Sequence, residues 1–315
     1  MAIYFPTMSL RPPRRLPQTK TDIPMRDLIS KYKVFFLDSY GVLRGRTGIF
    51  PGAERTIGEI LSQGKILGVA SNTTADMPGA IQSDWKEKGI NIPLELIFTS
   101  GMVLKSFVAK NNFVGSSAIV IGPEVSQQYA IQAGLNPIPK EEVMERYNEA
   151  NLVVICENPF DGSSIMLDAA ASAILVNRTR AVLTTTDRFV PFFNRTASAG
   201  VSVGVMATAA ILKALTGADP EIIGKPAQGM FNMLKLALKE MGYDVGDVLF
   251  VGDNLYEDIT GAVIAGFDCL LVESGISGAV ARGEITGPIA DLDRAILAQR
   301  IRPTYQLPSL IIPLE

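Results

Sequence analysis

The chain contains no histidine. That absence excludes Ser-His-Asp and Cys-His nucleophilic sites, His-ligated zinc and His-ligated haem. Cysteine is nearly as scarce: the two present, Cys156 and Cys269, lie far apart and form no metal-binding spacing. Each borders an apolar run, so both read as small buried hydrophobes, a usage that fits a reducing compartment. Neither sign of charge dominates, since 29 Lys and Arg against 32 Asp and Glu leave a net charge of −3. A strongly basic nucleic-acid surface is thereby excluded as the dominant feature, though a small local patch is not. Long hydrophobic runs are missing too. The longest uncharged stretch, Thr196 to Leu212, is shorter than the ~20 residues a membrane helix needs. Its Gly, Ser and Thr content suggests a buried loop and helix. The prolines Pro12, Pro13 and Pro17 interrupt the basic N-terminus, and no apolar segment follows them. A secretory signal is therefore not expected; a transit peptide is the alternative. The expectation is a cytoplasmic protein with neither nucleic acid nor membrane as partner.

What is present is core-forming material. Hydrophobic residues make up 47% and charged residues 19% of the 315 residues. At roughly 150 residues per domain, two domains are the natural expectation. Short apolar runs alternate with helical patterns. Val34–Leu37, Ile66–Ala70, Leu96–Phe98, Ala118–Ile121, Val153–Ile155, Ala181–Leu183, Val248–Val251 and Leu270–Val272 read as strands. Helices are expected over Pro51–Gln63, Asp76–Lys88, Met102–Lys110 and Tyr256–Ala265. Met230, Leu234, Ala237, Leu238 and Met241 share one further helical face. Continuous apolar strands, each followed by a helix, predict an α/β fold with a doubly wound parallel sheet.

In such sheets chemistry sits beyond the carboxyl ends of strands. Four segments stand out there. Asp38-Ser39-Tyr40-Gly41 places a carboxylate directly after a buried strand. Ser71-Asn72-Thr73-Thr74 offers hydroxyls, an amide and successive N–H groups, a seat for an anion. Lys225-Pro226 precedes a helix. Asp253-Asn254-Leu255-Tyr256-Glu257-Asp258 carries three acids within six residues. Each has an ordinary reading alone: a turn aspartate, an N-cap, a surface lysine, a solvated acidic loop. Together they supply a carboxylate nucleophile, an anion cradle, a lysine and an acid pair suited to Mg²⁺, which is the inventory for phosphoryl transfer through an aspartyl-phosphate.

These segments resemble the four motifs of the haloacid dehalogenase (HAD) superfamily, and their spacing is similar to its class IIA, the 4-nitrophenylphosphatase and NagD-type phosphatases. Only 71 − 38 = 33 positions separate the first two motifs, while 225 − 71 = 154 separate the second and third, which leaves room for a large cap. Phe50-Pro51-Gly52-Ala53, Thr99-Ser100-Gly101 and Thr186-Asp187 with Pro191 extend the likeness. The resemblance implies a Rossmann-like core over 28–110 and 219–305, an inserted α/β cap over 111–218, an irregular arm over 1–27 and a tail over 306–315. It also implies that Asp38 is the nucleophile and that Mg²⁺ is held by Asp38, the Tyr40 carbonyl and Asp253. Asp258 would orient metal waters or pair with Lys225. Ser71, the Asn72 N–H and Lys225 would bind the phosphoryl oxygens of a small phosphorylated metabolite. Family members often pair through the cap, so a homodimer is allowed.

One position departs from the pattern. Family phosphatases usually carry a second aspartate two residues after the nucleophile, as general acid and base, and here that residue is Tyr40. A positioned acid contributes about 10²–10⁴-fold, and a phenol of pKa about 10 is a poor base near neutrality. Three readings follow: a slow phosphatase or one with another acid, such as Asp187 of the cap; a non-catalytic phosphometabolite-binding homologue; or a 2-haloacid dehalogenase. The last shares the Asp-x-Tyr-Gly pattern, but it carries its cap between the first two motifs and lacks the counterpart of Asp253. Arg188 is the best further substrate contact, ahead of Arg44, Arg46, Arg178 and Arg180. Trp85 reads as packing.

Overall fold

A computed structural model describes residues 18–45, 48–158, 164–193 and 199–312, with backbone alone for 189–193, 199–202 and Pro288. Two compact units emerge. The first takes in the described residues up to Ala70, then Trp85–Leu96, then Phe231 onward; the second comprises Ser71–Asp84 and Ile97–Met230. Relative to the expected core and cap, residues 71–84, 97–110 and 219–230 group with the second unit.

In the first unit Val34–Leu37 is wholly buried. Water exclusion on both faces stabilises each such large apolar side chain by about 1.5–3 kcal/mol. A parallel sheet runs in the order Tyr305–Leu307, Asp268–Val272, Val248–Gly252, Val34–Leu37, Ile66–Ser71. Leu37 lies opposite Val251 on one side and Val69 on the other. The chain leaves Val34–Leu37 for Ile66–Ser71 and only later returns to Val248–Gly252 on the opposite flank. The winding therefore reverses between Val34–Leu37 and Val248–Gly252, the point where open α/β sheets open a crevice for ligands. Trp85 is 1% exposed and packs in the core.

The second unit has its own parallel sheet, in the order Glu221–Ile222, Arg180–Leu183, Leu152–Ile155, Ser117–Ile121, Asn136–Pro137. Helix Ile165–Asn177 lays Ala169, Ala170 and Ala173 against Ile119, Val153 and Leu183, small side chains permitting close approach. In the stretch expected as a loop and helix, the loop part is instead a strand, Ala199–Val203, antiparallel to Phe189–Phe193, and the helix is present as Met206–Thr216. The β-branched Val201 and Val203 favour extended backbone.

Several boundaries also differ. The second expected helix begins at Pro78, whose fixed φ suits a first helical turn. The first runs over Ala53–Ser62, because Gly52 takes a left-handed φ of 91° just before it and excludes Pro51. The segment after Asn254 opens with a π-helical turn, Leu255–Ile259, before helix Thr260–Ala265. Among the described residues, 18–27 and 306–312 are more ordered than an arm and a tail. Helix Met25–Lys31 begins inside the former. Lys20 bridges Tyr305, with Lys20 N–H donating to Thr304 O at 3.1 Å and Gln306 N–H to Lys20 O at 3.0 Å. At the other end Leu310 and Ile312 are buried, and Ile312 N–H donates to Thr56 Oγ1 at 3.0 Å. Among the described residues no helix is long and apolar enough to cross a membrane.

Candidate active site

At the reversal of the first sheet, Asp38 follows Leu37 and Asp253 follows Gly252, each a polar residue where an apolar strand runs out. Asp258 comes from the π-helical turn beyond. All three are buried, and each offers a carboxylate oxygen within 4.8 Å of the others. The backbone holds them there. Asp38 N–H donates to Val251 O at 2.8 Å. Ile276 N–H donates to Asp253 Oδ2 at 2.8 Å, and Asn254 N–H to Asp258 Oδ2 at 3.2 Å. Asn254 caps the following turn by accepting from the N–H groups of Tyr256 and Glu257 at 3.0 and 3.2 Å.

Two glycines make room for Asp253. A Cβ on Gly41, at φ 78°, would lie 2.2 Å from Asp253 Cγ, and one on Gly275 would lie 1.9 Å from its Oδ2. The backbone at Gly41 thus abuts this carboxylate. Three buried like charges repel one another unless a cation or protons intervene. The donor set, hard oxygens from carboxylates beside a main-chain segment, fits a hard divalent cation.

In the second unit the anion-cradle residues converge. Asn72 brackets the backbone of Lys225: its Oδ1 accepts from Lys225 N–H at 3.0 Å and its Nδ2 donates to Lys225 O at 3.3 Å. Thr186 Oγ1 also donates to Lys225 O, at 2.9 Å. Gly224 permits the close passage, since a Cβ there would meet Thr184 O at 2.0 Å. Lys225 is 1% exposed, which overturns the surface-lysine alternative. Ser71 and Asn72 are buried and lie well before the helix at Pro78, which overturns the N-cap alternative.

A haloacid dehalogenase-like hydrolase family profile matches residues 35–136, and a HAD-hydrolase-like profile matches residues 222–310. Both profiles describe HAD-type hydrolases, which the chain resembles over these two segments. Among curated proteins, a dihydroxyacetone phosphatase of Corynebacterium glutamicum is 25% identical over 77% of this chain and 82% of its own length. A possible sugar phosphatase of Cytophaga hutchinsonii has a similar fold, with TM-score 0.75 and 24% identity over 94% of this chain and all of that one. So does a glycerol phosphate phosphatase of Mycobacterium tuberculosis solved in complex with magnesium, with TM-score 0.69 and 24% identity over 90% of this chain and 77% of that one.

The remaining sequence candidates separate. Tyr40 is 47% exposed, its ring lying 5.0 Å from the Arg44 guanidinium carbon. Arg180 is taken up by Glu221 at 2.8 Å, and Arg178 closes a helix in a left-handed conformation. Arg46 lies outside the described residues. Asp187 accepts from Thr185 Oγ1 at 3.0 Å, with Arg188 beside it. Cys156 and Cys269 are buried free thiols, both pushed up to about 12 by burial.

The sequence reading missed Glu157. Burial and then the charge of Asp187 push its carboxyl up to about 7, against the lowering effect of hydrogen bonds from Thr74. The signal was available, because Glu157 follows the apolar strand Leu152–Ile155 by two residues as Asp38 follows its own by one.

Proposed function

We propose that the protein is a HAD-type phosphatase that hydrolyses a small phosphate monoester, a sugar phosphate or a related metabolite, with Mg²⁺ as its metal. The observation that carries this reading is the buried trio Asp38, Asp253 and Asp258 at the reversal of a parallel sheet. Asp38, the Tyr40 carbonyl and Asp253 would hold the cation, with Asp258 orienting its waters. The cation would offset repulsion between the carboxylate and a phosphate dianion and polarise the phosphoryl group. Asp38 attacks phosphorus and forms an aspartyl-phosphate, which water then hydrolyses. Ser71, the Asn72 N–H and Lys225 bind the phosphoryl oxygens, and the brackets from Asn72 and Thr186 fix the Lys225 backbone for that task. Asp187 and Arg188 face the remainder of the substrate.

The names of relatives support the class of substrate, since the Corynebacterium protein is a dihydroxyacetone phosphatase. Tyr40 favours a second reading, a homologue that binds a phosphometabolite without turning it over. One experiment separates the two. Turnover of 4-nitrophenyl phosphate with Mg²⁺, abolished by Asp38→Asn and by a chelator, supports the phosphatase. A phosphometabolite that raises the melting temperature with no turnover at high protein concentration overturns it. In the active case Tyr40→Asp accelerates esters with poor leaving groups more than 4-nitrophenyl phosphate, whose leaving group needs little protonation.

A further inference from the structure

We propose that Glu157 is the proton donor to the leaving oxygen, the role that family phosphatases usually give to an aspartate at the position of Tyr40. The inference rests on the phosphatase reading above and names a residue that reading leaves unassigned.

The placement comes from the second sheet. Its strands Glu221–Ile222, Arg180–Leu183 and Leu152–Ile155 are adjacent and parallel. Just beyond their carboxyl ends stand Lys225, Asp187 and Glu157, in that order along one edge. Parallel open sheets present ligand-binding groups along such an edge. Neighbouring strands are about 4.8 Å apart, so the chain at Glu157 lies roughly 10 Å from the chain at Lys225. Two side chains can close on a phosphate ester across that span, one at the phosphoryl oxygens and one at the bridging oxygen.

The loop after Ser71 ties the two positions together. Asn72 holds the Lys225 backbone at 3.0 and 3.3 Å. Two residues on, Thr74 Oγ1 donates to Cys156 O at 2.9 Å and reaches Glu157 Oε1 at 3.4 Å. The loop proposed to cradle the phosphoryl group is thus bonded on one side to the lysine and on the other to the acid. Ser126 Oγ, donating to Thr74 O at 3.2 Å, fixes it from behind.

The surroundings keep a proton on Glu157. It is half-buried, and the groups that act on it most strongly are Asp187 from the end of Arg180–Leu183, Thr74, and Asp76 from the loop after Thr74. Its own neighbour Cys156 is a buried thiol held neutral. Paired acids in one environment divide the work, the one with the raised value keeping the proton. Asp187, the sequence candidate for the acid, becomes the charge that maintains the proton on Glu157.

The step balances. As Asp38 attacks, the bond from phosphorus to the ester oxygen breaks and its electron pair goes to that oxygen. The oxygen takes the Glu157 proton and leaves as an alcohol. Glu157, now a carboxylate, regains a proton from the water that attacks the aspartyl-phosphate. That attack releases inorganic phosphate and restores both carboxyl groups.

The test compares an alkyl phosphate such as glycerol phosphate with 4-nitrophenyl phosphate, in wild type, Glu157→Gln and Asp187→Asn. For Glu157→Gln, kcat on the alkyl ester should fall by about 10²–10⁴-fold, with much less loss on the nitrophenyl ester. The wild-type alkyl-ester profile should decline as pH rises through about 7, the acid being lost there. That limb should vanish in Glu157→Gln and move to lower pH in Asp187→Asn, where the neighbouring negative charge is gone. Equal losses on both esters, or a limb that neither substitution alters, would overturn the assignment. Lack of turnover by the wild type of either ester overturns the phosphatase reading and the assignment with it.

Discussion

A methyl group at position 275 would stand 1.9 Å from Asp253 Oδ2, where Ile276 N–H already donates at 2.8 Å. Gly275→Ala must therefore displace the carboxylate or the backbone that holds it. The expected outcome is at least a tenfold rise in the Mg²⁺ concentration for half-maximal activity, read from a metal titration. Gly58→Ala is the control: it lies inside helix Ala53–Ser62 with open space around it. That change should leave the metal titration alone and add about 0.5–1 kcal/mol of stability. Asp38 and Asp253 are legible in the sequence because each interrupts an apolar run at its end. Gly275 and Ser277 are not, because the groups they serve lie more than 20 residues earlier. Lys225 was ambiguous for a related reason: burial, which decides its meaning, depends on residues 72 and 186 folding over it.

Elements behind the acidic loop set how firmly it is held. Leu255 N–H donates to Ser277 Oγ at 2.9 Å, and the Ser277 hydroxyl bonds Asp293 on helix Pro288–Ala298. Burial pushes the Asp293 carboxyl up to about 6 from an ordinary 3.8, with the Ser277 bond opposing. Because the folded value is raised, the folded state favours the neutral acid. The associated stability is fully present below pH 3.8 and is lost as pH rises through about 6. Asp293→Asn should then raise the melting temperature clearly at pH 7.5 and little at pH 4.5. An equal gain at both values would show that charge is not the cause. Helix Pro288–Ala298 carries no motif. Asp293 stands four residues after Ile289 and three before Ile296, on the apolar side of the helix, but a single acid at such a position does not announce its burial. The π-helical turn at Leu255–Ile259 was read as ordinary helix, since i→i+5 bonding leaves no periodic mark over five residues.

For the molecule as a whole, three buried acids are a standing cost that a bound cation relieves. Mg²⁺ should raise the melting temperature of the wild type, by the equivalent of about 2.7 kcal/mol at 100 times the dissociation constant. It should do little for Asp253→Asn in differential scanning calorimetry. A gain of the same size in both would place the stabilising cation elsewhere. The central strands were legible at this scale because strands covered on both faces are continuously apolar, as Val34–Leu37 and Leu152–Ile155 are. The margins were not. Glu221–Ile222 is too short to show a pattern, and Tyr305–Leu307 alternates with polar residues. Neither the helical start at Met25 nor the burial of Leu310 is announced by composition. The bridge between Lys20 and Tyr305 carries one last implication. An outermost strand with bare amides and carbonyls is a template on which another copy can polymerise. Here a stretch of the same polypeptide, nearly 300 positions away, already occupies that rim.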